Sequence, residues 1–559
     1  MDDLASLSAD LIAAVRDGRV ADRDQLQNLK LKLCKRYGLA GVPPNSSILA
    51  NVSEADRPLL LPLLVKKPMR TMSGVAVVAV MTSPHDCPHG RCTYCPGGVG
   101  NGSPQSYTGK EPAARRAGRN SFDPFLQVSD RIRQLTDIGH PTDKIDLIVM
   151  GGTFTSRDPG YQEWFVQRCF DAMNGTDSAT LDEAQRLNET SSHRCVGLTV
   201  ETRPDVFGTE QIERAMALGA TRVELGVQIL DDDILRGVDR GHGTEEVRRC
   251  TRECREHGLK VCYHIMPGLP GSSPEHDLEC FRRVFDDPAY RPDMLKFYTT
   301  LVIEGTGLYD MWRAGDYEPY DTDTAVALLA DMKSMVPEYV RIQRIQRDIP
   351  APQIAAGITT SNIRQLVEER MRSEGRPCRC IRCREVGHTG VVMDDPSQAE
   401  IRVREYDASE GRELFISFEY GDSLVGYARL RLDANATIRE LKVFGKAASI
   451  GDEGEWQHRG FGRELVAEAE RVAGERGYSR IRVTSGVGVR RYYASLGYGY
   501  DLPYMAKDLR RSSLRIGTYP LHMICRIGFY CHVTIPKSCL QAGSQRSSRS
   551  CASSPLSQC

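Results

Sequence analysis

The sequence predicts an α/β protein joined to a smaller α+β domain and preceded by helices. Three observations carry that reading. Six short β-rich runs alternate with helix-like spacers between residues 74 and 303, which is the pattern of parallel βα units. From about residue 398 four longer runs alternate polar and apolar residues, and a helix and a further strand follow them, as in a half-buried antiparallel sheet. The first 70 residues show helical spacing instead, in LASLSADLIAAVRDG and DQLQNLKLKLCKRYGL, broken by GVPPNSS.

The N-terminal helices bring a basic group at Lys30, Lys32, Lys35 and Arg36. The six runs are GVAVVAVMT, KIDLIVMGG, CVGLTVETR, TRVELGVQI, KVCYHIMPG and MLKFYTTLV, and they predict a partial (β/α)6 barrel, closed or nearly so. In such barrels the chemistry sits at the C-terminal ends of the strands. Thr82 to Cys95, Gly151 to Phe154 and Glu201 to Asp205 all fall there.

A net charge of -1 over 559 residues provides no bulk field for a polyanion, so any such partner must be held by local patches. KEPAARRAGR, Lys110 to Arg119, is one such patch. No apolar run spans a membrane, and the start MDDLASLSAD is acidic, so the expected setting is cytoplasmic. Eighteen cysteines in a chain of this kind, two groups of them tight, point to metal rather than to disulfides.

Cys87, Cys92 and Cys95 stand in a Pro/Gly-rich loop after the first run, spaced C-x4-C-x2-C. Three thiolates can hold an iron-sulfur cluster and leave one iron open. That is the arrangement of radical S-adenosylmethionine (SAM) enzymes, whose usual spacing is one residue shorter. Tyr94, just before the last cysteine, fits that pattern. A structural zinc site completed by His85 or His89 is the alternative. Gly151 and Gly152, in MGGTF, end a strand where bare backbone can approach a cofactor.

Gln457, Gly460 and Gly462 form a Q-x-x-G-x-G turn ahead of the helix RELVAEAER, where free N–H groups and the helix dipole suit a pyrophosphate. With RELKVFG before it and VTSGVGVRRYYASLGYGY after it, this region resembles the GNAT acyltransferases. In that class Tyr492 and Tyr493 could protonate a leaving thiolate, or could be core. Between the two domains Cys378, Cys380 and Cys383, with His388 close by, suit a structural zinc, and His388 is a candidate fourth ligand.

Together the motifs CPHGRCTYCPGG, QSYTGKEP, DPFLQ, IVMGGTF, VETRPD, DRGHGT, YTTLVIEGTGLY, RIQRDIP, RELKVFG, QHRGFG and SGVGVRRYY resemble those of the Elongator catalytic subunits, over about 70 to 509. That family varies in the gap between its first two cysteines, and its archaeal and bacterial members act as single subunits. The resemblance implies a tRNA carboxymethyluridine synthase acting on uridine 34 of the anticodon, with a 4Fe-4S cluster, SAM, acetyl-CoA and structural zinc. It implies a basic helical tRNA-binding region at 1–72, a radical SAM barrel at 73–370, a zinc linker at 371–396 and a GNAT domain at 397–509. Residues 510–559, basic and without Asp or Glu after 508, are expected to be a disordered tail.

Acetyl-CoA would then be held by Glu440, Leu441, Lys442 and Val443, by Gln457 and Gly460 to Arg463 including Phe461 and Gly462, and by Tyr493. Lys144 would contact it from the barrel, so that Lys144, Tyr492 and Tyr493 are the catalytic candidates. Gly151 and Gly152 would serve SAM. The resemblance leaves room for a homodimer and for Elongator-like accessory subunits. Two other functions stay open on the residues alone: a protein lysine acetyltransferase with a structural cluster, and a tRNA-binding scaffold.

Overall fold

The computed structural model describes residues 3–39, 41–53, 55–65, 71–391, 398–445 and 459–509. Gln457 and the segment 510–559 lie outside the described residues. No described helix is long and apolar enough to cross a membrane.

Helices Asp3–Arg16, Arg23–Arg36, Asn45–Ala50 and Arg57–Leu64 build the N-terminal region. Leu7, Leu11, Leu26, Leu33, Ile48, Leu60 and Leu64 meet in a core separate from the main one. Asp22 caps the second helix by accepting from the Gln25 N–H at 2.8 Å. Lys30 departs from the expected basic surface. It is buried, and its Nζ donates to Pro43 O at 3.0 Å and Asn45 Oδ1 at 2.7 Å, because an ammonium taken from water must keep its hydrogen bonds.

The first sheet contains β1 (Ala76–Met81), β2 (Lys144–Met150), β3 (Arg194–Thr202), β4 (Arg222–Gln228), β5 (Lys260–Ile265) and β6 (Met294–Phe297), in sequential order and all parallel. The short strands β7 (Val302–Ile303) and β9 (Ile354–Ala356) pair with each other apart from it. A seventh parallel strand, β8 (Arg341–Ile345), extends the sheet beside β6, one more than the six runs predict. Polar residues at three of its five positions, Arg341, Gln343 and Arg344, hide the β pattern from a hydrophobic reading. The sheet remains open between β1 and β8, so it is a partial barrel.

The second sheet runs β10 (Glu400–Ala408), β11 (Gly411–Tyr420), β12 (Ser423–Leu432), β13 (Ala436–Val443), β14 (Arg480–Val483), β16 (Tyr504–Asp508) and β15 (Gly499–Asp501). All its pairs are antiparallel except β13 with β14. That parallel ladder covers only Ala436 to Ile438. Beyond it the strands part, and Glu440–Val443 face an opening. The helix Phe461–Glu475 packs across β11, β12 and β13.

Two of the contacts that join the sheets fix their docking. The first is ionic and buried. Arg439 on β13 makes a bidentate pair with Asp293, just before β6, at 2.7 and 2.8 Å, and its Nη2 reaches Glu413 on β11 at 2.8 Å. Arg255 donates to Glu413 at 2.9 Å, and Arg429 donates to Glu440 at 2.9 Å. The second contact is the turn Gly486–Val487–Gly488, laid on β3. A Cβ on Gly486 would sit 2.2 Å from Val196 O, and one on Gly488 would sit 2.9 Å from Cys195 N.

Removing one member of a buried ion group strands the rest. Asp293→Ala, which leaves three arginines without their shared carboxylate, is expected to cost about 3–5 kcal/mol, read as a lower Tm and denaturation midpoint.

Candidate active site

The loop after β1 carries Cys87, Cys92 and Cys95, the last two buried. Each sulfur has a donor within reach. Thr153 Oγ1 lies 3.3 Å from Cys87, Arg240 Nη1 lies 3.5 Å from Cys92, and the Ser106 N–H lies 3.2 Å from Cys95. Such donors suit thiolates. Arg203 and Arg240 are buried beside the loop, at 1% and 5% exposure, and supply positive charge against several thiolates. His89 contacts Cys92 at 3.2 Å. Burial, and then Arg203, push its imidazole down to about 4, so it stands neutral.

Among the described residues the three cysteine sulfurs that fall within 4.8 Å of one another are those of Cys378, Cys380 and Cys383. Cys87, Cys92 and Cys95 form no such group. A single ion needs convergent ligands, whereas a multi-iron cluster needs them spread, and the loop fits the cluster.

This loop borders a cavity whose empty space, mouth included, is about 920 Å³. Tyr107, Gly152, Glu201, Glu224, Tyr298 and Arg347 are among its walls. Gly151 and Gly152 have φ of 143° and 83°, and a Cβ on Gly151 would lie 2.1 Å from Thr82 Oγ1. Only glycine leaves the backbone bare here, as an approaching cofactor requires.

A second, larger opening of about 1830 Å³ lies where β13 and β14 part. Glu440, Leu441, Lys442, Val443, Gly460, Phe461, Gly462, Arg463, Tyr492 and Tyr493 line it from the second domain, and Lys144 lines it from the start of β2. The structure thus brings Lys144 together with the sequence-predicted coenzyme A residues. Gly460 turns with φ of 93°, and the helix Phe461–Glu475 opens its N-terminus here, a site for phosphate oxygens. A Cβ on Gly462 would stand 3.0 Å from the Tyr492 Oη, so a side chain would fill the cradle. Burial raises the phenol pKa of Tyr492, and that of Tyr493 still further with Tyr492 and Glu440 adding. Both keep their protons to donate. Burial lowers the Lys144 ammonium against Asp143.

At the junction, Lys333 Nζ donates to Cys383 at 3.3 Å, and Cys380 is fully buried. His388 is the candidate fourth ligand of the zinc reading. Its Nε2 lies 2.9 Å from Glu385 Oε1, and Glu385 is also bound by Arg341 at 2.5 Å.

Sequence reasoning assigned no role to Arg203, Glu201 or Arg240, nor to Arg222 and Lys260 in the second opening. The first three lie in VETRPD, at the end of β3, and in DRGHGT, in the link between the helices Asp232–Gly237 and Thr244–Glu256, and the charged residues of those motifs were the available signal. Arg222 and Lys260 begin β4 and β5 and carry no signal of their own.

Comparison with known proteins places these sites in context. Family models match at residues 4–72 (ELP3 N-terminal domain), 81–284 (Radical SAM superfamily), 292–373 (Radical_SAM C-terminal domain) and 379–498 (Acetyltransferase (GNAT) family). The tRNA uridine(34) acetyltransferase of Methanocaldococcus jannaschii is 47% identical, across 91% of this chain and 99% of its own. The Elongator complex protein 3 of Homo sapiens is 42% identical, across 89% and 95%. The solved archaeal Methanocaldococcus infernus Elp3 lacking residues 1–46 superposes with a TM-score of 0.70 at 45% identity, covering 78% of this chain and all of that one.

Burial, and then Arg341, bring the Lys442 ammonium down to about 8. It is charged below that pH and neutral above. The affinity of the cofactor-free protein for anionic acetyl-CoA is therefore expected to fall as pH rises through about 8, and Lys442→Met should flatten the profile in calorimetric titrations.

Proposed function

The chain belongs to the family of Elongator complex protein 3 and the tRNA uridine(34) acetyltransferases, and on that premise we propose that it places a carboxymethyl group on C5 of uridine 34 in tRNA, drawing the two carbons from acetyl-CoA. The observation that carries this reading is the pairing of a three-thiolate loop with a coenzyme A cradle on one barrel. Neither a plain acetyltransferase nor a scaffold needs both.

When bound, a 4Fe-4S cluster and SAM supply a carbon radical that can take a hydrogen atom from an unactivated methyl group. Cys87, Cys92 and Cys95 hold the cluster, and Arg203 and Arg240 offset its charge. The bare backbone of Gly151 and Gly152 receives the amino end of SAM. The helix N-terminus at Gly460 to Arg463 takes the coenzyme A phosphates, and Glu440 to Val443 flank its pantetheine arm. Lys144 orients the thioester from the barrel side. Tyr492 and Tyr493, held protonated, donate to the departing thiolate. Exposed Lys32, Lys35, Arg36, Lys110, Arg115 and Arg119 offer phosphate contacts to tRNA. Arg116 of the same basic run is buried, and its Nη2 donates to Ala79 O at 2.7 Å, so it serves the fold. Cys378, Cys380 and Cys383 hold a structural zinc. Reduced thiols such as these suit a cytoplasmic setting.

The test is an anaerobic reaction of reconstituted protein with tRNA and acetyl-CoA labelled with 13C at the methyl carbon. Label is expected in the carboxymethyl group of uridine 34, and its absence overturns the reading. Cys92→Ala should abolish the product while changing acetyl-CoA affinity by less than about twofold, since distant sites act independently. Metal analysis of the purified chain should find a zinc that Cys380→Ser removes.

A further inference from the structure

The two cavities open at opposite ends of the same strands and come nearest on β4, where a single layer of paired side chains parts them. Arg222, the first residue of β4, lines the coenzyme A side, and Glu224 lines the cluster side. Two residues of strand, about 7 Å, separate them. Their side chains face each other inside the barrel, with Arg222 Nε 3.8 Å from Glu224 Oε1.

Neither of these two atoms has a hydrogen-bond partner, although both are buried. A buried guanidinium N–H without an acceptor is costly. The rest of Arg222 is loosely held, by contacts of 3.3 to 3.4 Å to Asp146, at the long limit for a hydrogen bond. Glu224 is better anchored. Its Oε2 meets His264 Nε2 at 2.9 Å and the Lys296 ammonium. Against the upward push of burial, Lys296 holds its carboxyl low, so Glu224 keeps its partners when Arg222 moves, and the contacts given up are the long ones to Asp146.

With phosphates at Gly460 to Arg463, where a Cβ on Gly462 would lie 3.7 Å from Val443, a pantetheine arm laid back along β13 would bring its reactive end toward Glu440 and this wall. That distance is three residues, about 10 Å. Glu440 feels the charge of Lys260, and Lys260 stands beside Arg222 in the same cavity.

We propose that Arg222 recognises the acyl end of the thioester and, with Glu224, forms the gate through which its two carbons enter the barrel and reach the cluster side. The unpaired Nε–H donates to the thioester carbonyl oxygen. In doing so it leaves Glu224 to Lys296 and His264, and the one-layer wall opens along the barrel axis. A wall this thin admits a short acyl group carried on a slender arm and keeps the adenine end outside. The proposal rests on the function proposed above for the two cavities.

Two measurements test it. In cofactor-free protein, calorimetry compares acetyl-CoA with free coenzyme A. Arg222→Met is expected to weaken acetyl-CoA about tenfold, the worth of one charged hydrogen bond, and to leave coenzyme A unchanged. Equal losses for both ligands, or none, overturn the recognition role. In reconstituted protein with tRNA and methyl-deuterated acetyl-CoA, deuterium appearing in 5'-deoxyadenosine reports that the methyl group has crossed. Arg222→Met and Glu224→Gln should each cut that transfer at least about tenfold, a positioning effect, and unchanged transfer in both overturns the gate. Absence of transfer in the unmodified protein would instead defeat the proposed function, while the binding comparison still decides the role of Arg222. If Arg222→Met fails to fold, Arg222→Lys, which keeps the charge and removes the Nε–H, should bind coenzyme A normally and lose the preference for acetyl-CoA.

Discussion

The buried arginine–carboxylate lattice between the two sheets is the constraint on which the remaining geometry rests. Asp293 joins the backbone of β5, through the Val261 N–H at 2.9 Å, to Arg439 on β13. Glu413 joins Arg255 of the barrel to Arg431 and Arg439. Arg429 carries the pattern on to Glu440, which is already a wall of the coenzyme A cradle. Charges taken this far from water stabilise only as a complete set. The lattice therefore admits one docking of the domains and rejects neighbouring registers, in which at least one ion would lack its partner.

That fixed docking sets the cradle beneath the barrel rather than beside it. The β strands then act as a common partition, with the thiolate loop at their C-terminal ends and the cradle at their N-terminal ends. The cysteine junction at 378–383 suggests itself from sequence as the spacer between the two sites. Arg341 and Glu385, clasping Ser73 near it, do tie that junction to the entry of β1. The larger share of the contact belongs to the lattice and to the glycine turn on β3, neither of which announces itself in the chain.

Much of the architecture is legible because hydrophobic periodicity and turn chemistry are local. All six strand runs from GVAVVAVMT to MLKFYTTLV appear as parallel strands in that order, and the later strands and the helix Phe461–Glu475 stand where their alternation puts them. The seventh strand escapes because arginines occupy it and find partners only in the folded state, as Arg341 does in Glu385. Lys30 misleads for the same reason, since its burial depends on Pro43 and Asn45 across a turn. The site divides likewise. Cysteine spacing and glycine turns mark ligands within a few residues of one another, whereas Arg222, Lys260 and Lys144 begin three different strands, and only strand order brings them to one cavity.

The glycine turn on β3 also bears on how sequence variants in this chain should be understood. Gly486 and Gly488 sit inside a stretch that any motif comparison would assign to coenzyme A binding, yet the atoms that forbid a side chain there are Val196 O and Cys195 N of the barrel. A substitution at either position would be scored as a catalytic defect in an acyl-transfer assay. Its origin would be a hinge forced between two domains, and compensation would arise on β3 rather than in the cradle.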